Sequence, residues 1–234
     1  MPVCAMKNSL YVLLIILLYS FDSAAQVPDT LGIRLNNYEY PYPVHFMQDS
    51  VQNTPIEIAY MDVPPEQGNG KTVLLFHGKN FPAAYWRETI RALADEGYRV
   101  IIPDALGFGK SSKPVIQYSF SLLATLDKKL LDKLGVKQVA VIGHSMGGML
   151  ATRFALTYPE RVRCLVLEDA IGLEDWRSKG VPYRKADEWY ADEMKATYES
   201  ILSYHKTSYY PEWKEKYQEW VLLQYGVTKS KQHN

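Results

Sequence analysis

With 234 residues, 47% of them hydrophobic and 22% charged, the chain has ordinary globular composition and length for one substantial core or two small ones, which excludes a disordered chain. Equal counts of basic and acidic residues, 26 each, leave no net field to gather a polyanion, so nucleic acid is not an expected partner. Eighteen tyrosines and five tryptophans, many after residue 170, read either as helix packing or as the wall of an apolar, partly wettable pocket.

Lys7 precedes an apolar run, Leu10 to Tyr19, and small residues follow up to Ala25. Residues 1–25 are therefore expected to be a secretory signal peptide cut after Ala25, giving a secreted or periplasmic protein without stable membrane insertion. An uncleaved membrane anchor is the alternative, and the run falls short of the ~20 residues that a transmembrane helix needs. Cys4 leaves with the leader, so Cys164 stands alone in the mature chain and no intrachain disulfide can form. Its run, Arg161 to Asp169, reads as a buried strand with Cys164 as a small core residue. No paired-cysteine or spaced-histidine pattern calls for a metal, and no cofactor is expected.

From Gln26 the elements follow in order. Tyr38–Met47 and Ile56–Val63 alternate in polarity, as half-exposed antiparallel strands do, with Pro41 and Pro43 on an edge or in a loop. Pro64–Lys71 is a surface turn. Strand and helix then alternate: strands at Thr72–Gly78, Tyr98–Ala105, Gln138–His144 and Val162–Asp169, helices at Ala83–Gly97, Ser119–Gly135 and Met146–Pro159. Such alternation implies a predominantly parallel, doubly wound α/β sheet with right-handed crossovers, here its first six strands. After residue 170 the composition shifts to Trp, Tyr, Lys and Glu. Trp176–Lys206 and Pro211–Gly226 read as helices of a lid over the sheet's carboxyl edge. The expected division is thus a leader (1–25), an α/β core (26–170) and a helical lid segment with its tail (171–234).

The most specific chemistry lies at GHSMGG, Gly143 to Gly148. Glycines two before and two after Ser145, between a buried strand and a helix, fit the G-x-S-x-G nucleophile elbow. There the serine backbone is forced into a strained turn, and side chains on the flanking positions would keep strand, turn and helix apart. The hydroxyl is then presented at the carboxyl edge. The Met146 amide, first in the new helix, would point to the same space and form half of an oxyanion hole. His77-Gly78-Lys79-Asn80 follows another buried strand, where the second donor is expected from the Lys79 amide or from Asn80. Gly109-Lys110-Ser111 superficially matches the end of a phosphate-binding loop, but Asp104 occupies the position that needs glycine. A structural turn with Asp104 capping loop amides is the better reading. His144, beside the nucleophile, should point away from it by alternation.

HG at 77–78, PD-x-x-GFG-x-S at 103–111 and GHSMGG at 143–148, in that order, resemble the α/β-hydrolase fold superfamily, within its lid-bearing serine hydrolases. The likeness covers about residues 35–170, and Ile171–Trp176 is similar to the start of that group's lid. It implies a serine hydrolase cleaving an ester or related acyl bond of a small, largely apolar molecule, with Ser145 as nucleophile. Members with aspartate at the elbow are dehalogenases or epoxide hydrolases, and the serine argues against both. Triad order in this fold is serine, acid, histidine, the last two on strands after the lid. Those strands are not found before Asn234, so a C-terminally truncated and impaired hydrolase is expected. Asp169 is a substitute acid and His205 a candidate base, ahead of His233 in the polar tail. The contrasting class is a non-catalytic, hydrolase-like module that holds an apolar ligand.

Overall fold

The computed structural model describes residues 31–230; the leader expected over 1–25 and His233 lie outside them. One six-stranded sheet carries the order β1-β2-β4-β3-β5-β6, built from Val44–Val51, Thr54–Val63, Thr72–Phe76, Arg99–Pro103, Val139–His144 and Val162–Glu168 as β1 to β6. β1 and β2 form an antiparallel hairpin and β2 pairs antiparallel with β4. The remaining neighbours are parallel. Gln52 and Asn53 close the hairpin with φ of 49° and 61°, the doubly left-handed turn whose twist matches that of the flanking strands.

The central strands are apolar on both faces because helices cover both. Leu74 and Phe76 of β3, Ile101 of β4 and Val139 and Val141 of β5 face a core shared with α2 (Phe120–Lys133) and α3 (Met146–Thr157). The alternate residues Val73, Leu75, Val100 and Ile102 face Trp86 and Ile90, the latter on α1 (Arg87–Asp95). This is the doubly wound α/β arrangement read from the sequence, and the antiparallel β1 and β2 make the sheet mixed. Ser119 caps α2 by accepting the Leu122 amide at 3.1 Å, and Gly135 ends it at φ 66°.

Three expectations are corrected. The first strand begins at Val44, not Tyr38: Pro41 and Pro43 cannot donate to a ladder, and Tyr38 and Tyr40 instead turn under the C-terminal segment. β6 is not buried. It pairs only with β5, no described element covers it fully, and Cys164 is exposed. The lid helices are shorter than read. Gly180, at φ 68°, and Pro182 keep 171–185 irregular, so helix forms at Ala186–Glu193 (α4), Tyr198–Tyr204 (α5) and Gln218–Thr228 (α6).

A third apolar cluster attaches α6 to the sheet's carboxyl edge. Trp220 and Leu223 pack on Leu31, Leu35, Tyr38, Phe81 and Ala84. Arg87 donates to both carboxylate oxygens of Glu219 at 2.8 Å, Tyr38 Oη donates to the same carboxylate at 2.6 Å, and the Arg87 guanidinium lies 4.8 Å from the Trp220 ring.

Candidate active site

β5 ends at His144 and α3 begins at Met146, leaving Ser145 alone at the bend with φ 53° and ψ −119°. A non-glycine residue held there stores on the order of 1–3 kcal/mol, so its surroundings must over-determine it. They do. The Ser145 amide donates to Glu168 O at 3.1 Å and its carbonyl accepts the Gly148 amide at 2.9 Å. The glycines are interlocked: a Cβ on Gly147 would collide with Phe76 O and stand 2.6 Å from His77 O, one on Gly143 would collide with Gly147 O, and one on Gly148 would collide with Ala170.

Opposite the elbow runs the turn after β3. A Cβ on Gly78 would stand 3.3 Å from Ser145 Cβ, so this backbone lies directly against the nucleophile's position. Lys79 and Asn80 follow, both tied to the C-terminal segment. Lys79 Nζ pairs with Glu193 of α4, and Asn80 Nδ2 donates to Tyr209 Oη at 2.7 Å. The side chains at 79 and 80 thus point toward the helices, and the turn's backbone is left beside Ser145.

Two buried polar groups brace that turn, and the sequence pointed to neither partner set in full. Asp104 accepts the Ala83 amide at 2.7 Å, the Lys110 amide at 2.8 Å and Tyr40 Oη at 2.7 Å. It does cap its own loop, as read, but it also holds the start of the Ala83–Trp86 turn leading into α1 and the N-terminal segment. Gly109 is required, because a Cβ there would collide with the Asp104 carboxyl. Ser111 Oγ donates to Asp104 O and accepts the Ala59 amide, so Gly109, Lys110 and Ser111 are all absorbed by this turn. His77 is buried. Its Nε2 accepts the Ala105 amide at 3.0 Å, which leaves Nδ1–H to donate to Gly78 O at 2.8 Å. Burial holds the imidazole below its usual range despite the nearby Asp104 charge, so it is neutral at pH 7. The signal for His77 was its place one residue before Gly78 at the end of a buried strand.

Of the other candidates, Asp169 stands beside the elbow. It follows β6 at φ 45°, and its neighbours Glu168 and Ile171 bond the Ser145 backbone, the latter at 3.4 Å. His205 is elsewhere. It is buried in an aromatic cluster, 5.6 Å from the Phe81 ring and 5.1 Å from Tyr209, with Nε2 on Gln224 Oε1 at 2.9 Å. Its Nδ1 finds no partner, and burial lowers its pKa. His144 stands at the same turn: a Cβ on Gly78 would lie 3.1 Å from its Nδ1 and 3.3 Å from Ser145 Cβ, and its ring is 6.3 Å from those of Phe81 and Tyr85. Among the described residues no histidine nitrogen hydrogen-bonds Ser145, and no cluster of His, Cys, Asp or Glu could hold a metal ion.

Two cavities open at this edge. One, of about 490 Å³, is walled by Phe108, Tyr118, Phe120, Leu123 and Met146. The other, of about 260 Å³, lies between the Lys79–Pro82 turn and α6. Both sizes suit small molecules rather than polymers.

The chain matches the alpha/beta hydrolase fold family over residues 71–222. It is similar to the crystal structure of a probable hydrolytic enzyme from Pseudomonas aeruginosa PAO1, with TM-score 0.85 and 49% identity over 89% of this chain and 67% of that one. Bifunctional epoxide hydrolase 2 of Mus musculus is 38% identical over 138 residues, 54% of this chain and 24% of the relative. A 2-hydroxy-6-oxononadienedioate/2-hydroxy-6-oxononatrienedioate hydrolase of Pseudomonas sp is 41% identical over 106 residues, 44% of this chain and 38% of the relative. The chain thus spans well under half the length of these two curated relatives. Strand-turn-helix at Ser145, the braced turn after β3 and these likenesses agree, and the chain belongs to the alpha/beta hydrolase fold family.

Proposed function

We propose that the chain is a serine hydrolase acting on an ester or related acyl bond of a small, largely apolar molecule. The observation that carries the reading is the Ser145 backbone, a strained left-handed bend maintained by three interlocked glycines. Such strain has no packing purpose, since a glycine would relieve it, and it projects one hydroxyl from the carboxyl edge. Oγ would attack the acyl carbon while its proton passes to a base. The carbonyl oxygen, now an oxyanion, would accept from the Lys79 and Met146 amides. The leaving alcohol takes the proton, and water then cleaves the acyl-serine.

Asp169 and His205 remain the proposed acid and base, and for His205 this requires that its bond to Gln224 be exchanged. In the geometry described, Ser145 therefore lacks an activated partner, and loss of triad members costs about 10⁴ to 10⁶ in rate. An impaired hydrolase is the resulting proposal. The relatives named for epoxides share the scaffold, but a hydroxyl at the elbow favours acyl chemistry. Residues 1–25, read as a leader, assign this activity to a secreted or periplasmic protein.

The second reading, a non-catalytic module that holds an apolar ligand, is favoured by the lack of a histidine bonded to Ser145 among the described residues. A fluorophosphonate probe separates them. Labelling mapped to Ser145, and absent in Ser145→Ala, supports the hydrolase; complete resistance by folded protein leaves the binding module.

A further inference from the structure

The larger cavity beside the elbow contains one charged lining residue. Its walls are Phe108, Tyr118, Phe120, Leu123 and Met146, and Lys113 stands among them. Lys113 also lines the smaller cavity, so its side chain sits where the two meet.

Its charge is only partly met. Nζ donates to two backbone carbonyls, Gly109 O at 2.7 Å and Ser111 O at 3.3 Å, and an ammonium has three donors. No carboxylate forms an ion pair with it among the described residues. Asp104 acts on it through space but bonds only neutral donors, the Tyr40 hydroxyl and the Ala83 and Lys110 amides, while Arg34 pairs with Glu57 and Lys79 with Glu193. A half-buried cation beside apolar walls is costly, and two carbonyl dipoles and a carboxylate that forms no ion pair with it offset only part of that cost. A ligand anion supplies the missing partner.

We propose that this cavity takes an apolar, aryl or alkyl acid, its anionic group bound by Lys113 Nζ and its hydrocarbon body lying on Phe108, Phe120 and Leu123 toward Met146. The reading of Ser145 as nucleophile then gives the substrate class, an acyl compound carrying an anionic terminus; binding itself does not depend on turnover. Burial lowers the Lys113 pKa to about 8, against the raising effect of Asp104, so the ammonium predominates at pH 7 and its charge is lost as pH rises above 8. Tyr118, whose pKa burial raises, stays neutral over that range.

Calorimetric titration of the full chain with 4-phenylbutyrate and with 4-phenylbutan-1-ol tests this at pH 7. The acid should bind roughly tenfold tighter than the alcohol, as a charged hydrogen bond implies. Lys113→Met should remove that preference while leaving alcohol binding unchanged, Lys113→Arg should keep it, and the wild-type preference should shrink between pH 7 and pH 9. An acid preference that survives in folded Lys113→Met overturns the inference, and so does its absence in the wild type, a measurement that stands even where the variant does not fold. Ser145→Ala should retain the full preference. A chain that resists fluorophosphonate yet prefers the acid would lose the catalytic reading and keep this one.

Discussion

Gly147 and Phe76 lie so close that the α3 backbone touches the carbonyl at the end of β3, and a Cβ on Gly147 has no space to occupy. This contact brings the elbow against the turn that carries Lys79. The obstacle is backbone rather than a flexible side chain, so Gly147→Ala must displace either α3 or β3. The expected cost is about 3 kcal/mol. Gly135→Ala is the control: nothing lies within 4 Å, only its φ of 66° resists, and about 1 kcal/mol is expected. Urea unfolding of both variants checks the ranking, and equal costs would refute the close approach.

Glu219 is the acceptor that the half-buried Arg87 and the buried Tyr38 share. Glu219→Gln keeps the shape and removes the charge, leaving Arg87 half-buried beneath Trp220 without its counter-ion. A loss of about 1–3 kcal/mol is expected, concentrated in the attachment of α6. Hydrogen exchange should quicken over Gln218–Thr228 and stay unchanged over β3 and β5. Uniform acceleration throughout would show that this network supports the whole fold rather than the lid.

Some of this architecture was legible and some was not, for identifiable reasons. β3, β4 and β5 read correctly because helices on both faces make their central positions apolar, and the glycines around Ser145 are diagnostic because each meets backbone or a neighbouring methyl. Tyr38 and Tyr40 imitated strand alternation, yet their hydroxyls bond Glu219 and Asp104, 181 and 64 residues away, which no local pattern encodes. β6 carries the same apolar signature as β5, but its position at the sheet edge is a property of pairing order, not of its residues. His205 was readable as a histidine in the lid; its burial against Phe81 and its bond to Gln224 were not.

His77 and His205 are both held below their usual range by burial, so each unfolded imidazole binds a proton more readily than the folded one. Their stabilising contribution is therefore complete above the unfolded pKa of about 6.5 and is lost as pH falls through the lower folded values. Urea midpoints should decline from pH 7 toward pH 5, before the carboxylates titrate. His205→Phe should flatten that decline, and His77→Asn should flatten it at some loss of midpoint. In an Asp127→Asn background, which removes the opposing pH dependence of that buried carboxyl, a midpoint constant over this window would refute the neutral, buried assignment.

Asp127 behaves in the opposite sense. It is buried on α2 among Leu123, Leu126, Leu130 and Leu131, Oδ2 has no partner, and burial raises its pKa well above the usual range. The folded state thus keeps a proton that the unfolded chain releases above about pH 3.9, so the residue weakens the fold increasingly as pH rises toward the folded value. Asp127→Asn removes that dependence. Relative to wild type, its stability should improve steadily from pH 4 to pH 7, and a pH-independent difference would count against a protonated carboxyl.

β6 presents unpaired backbone on one side together with Leu165, Val166 and Leu167, which are 37%, 44% and 40% exposed. An edge of this kind, apolar and without lysine or proline in its centre, is a template for pairing with another chain. The isolated chain should therefore self-associate as its concentration rises. Val166 sits mid-strand opposite Ile142, and a lysine there places one charge in the pairing surface without touching the Ser145 bend. Light scattering should show Val166→Lys staying monomeric at concentrations where the wild type associates, with fluorophosphonate reactivity unchanged. Association that persists in Val166→Lys would assign it to another surface, such as the exposed Ile171, Leu173 and Trp176 that follow the strand.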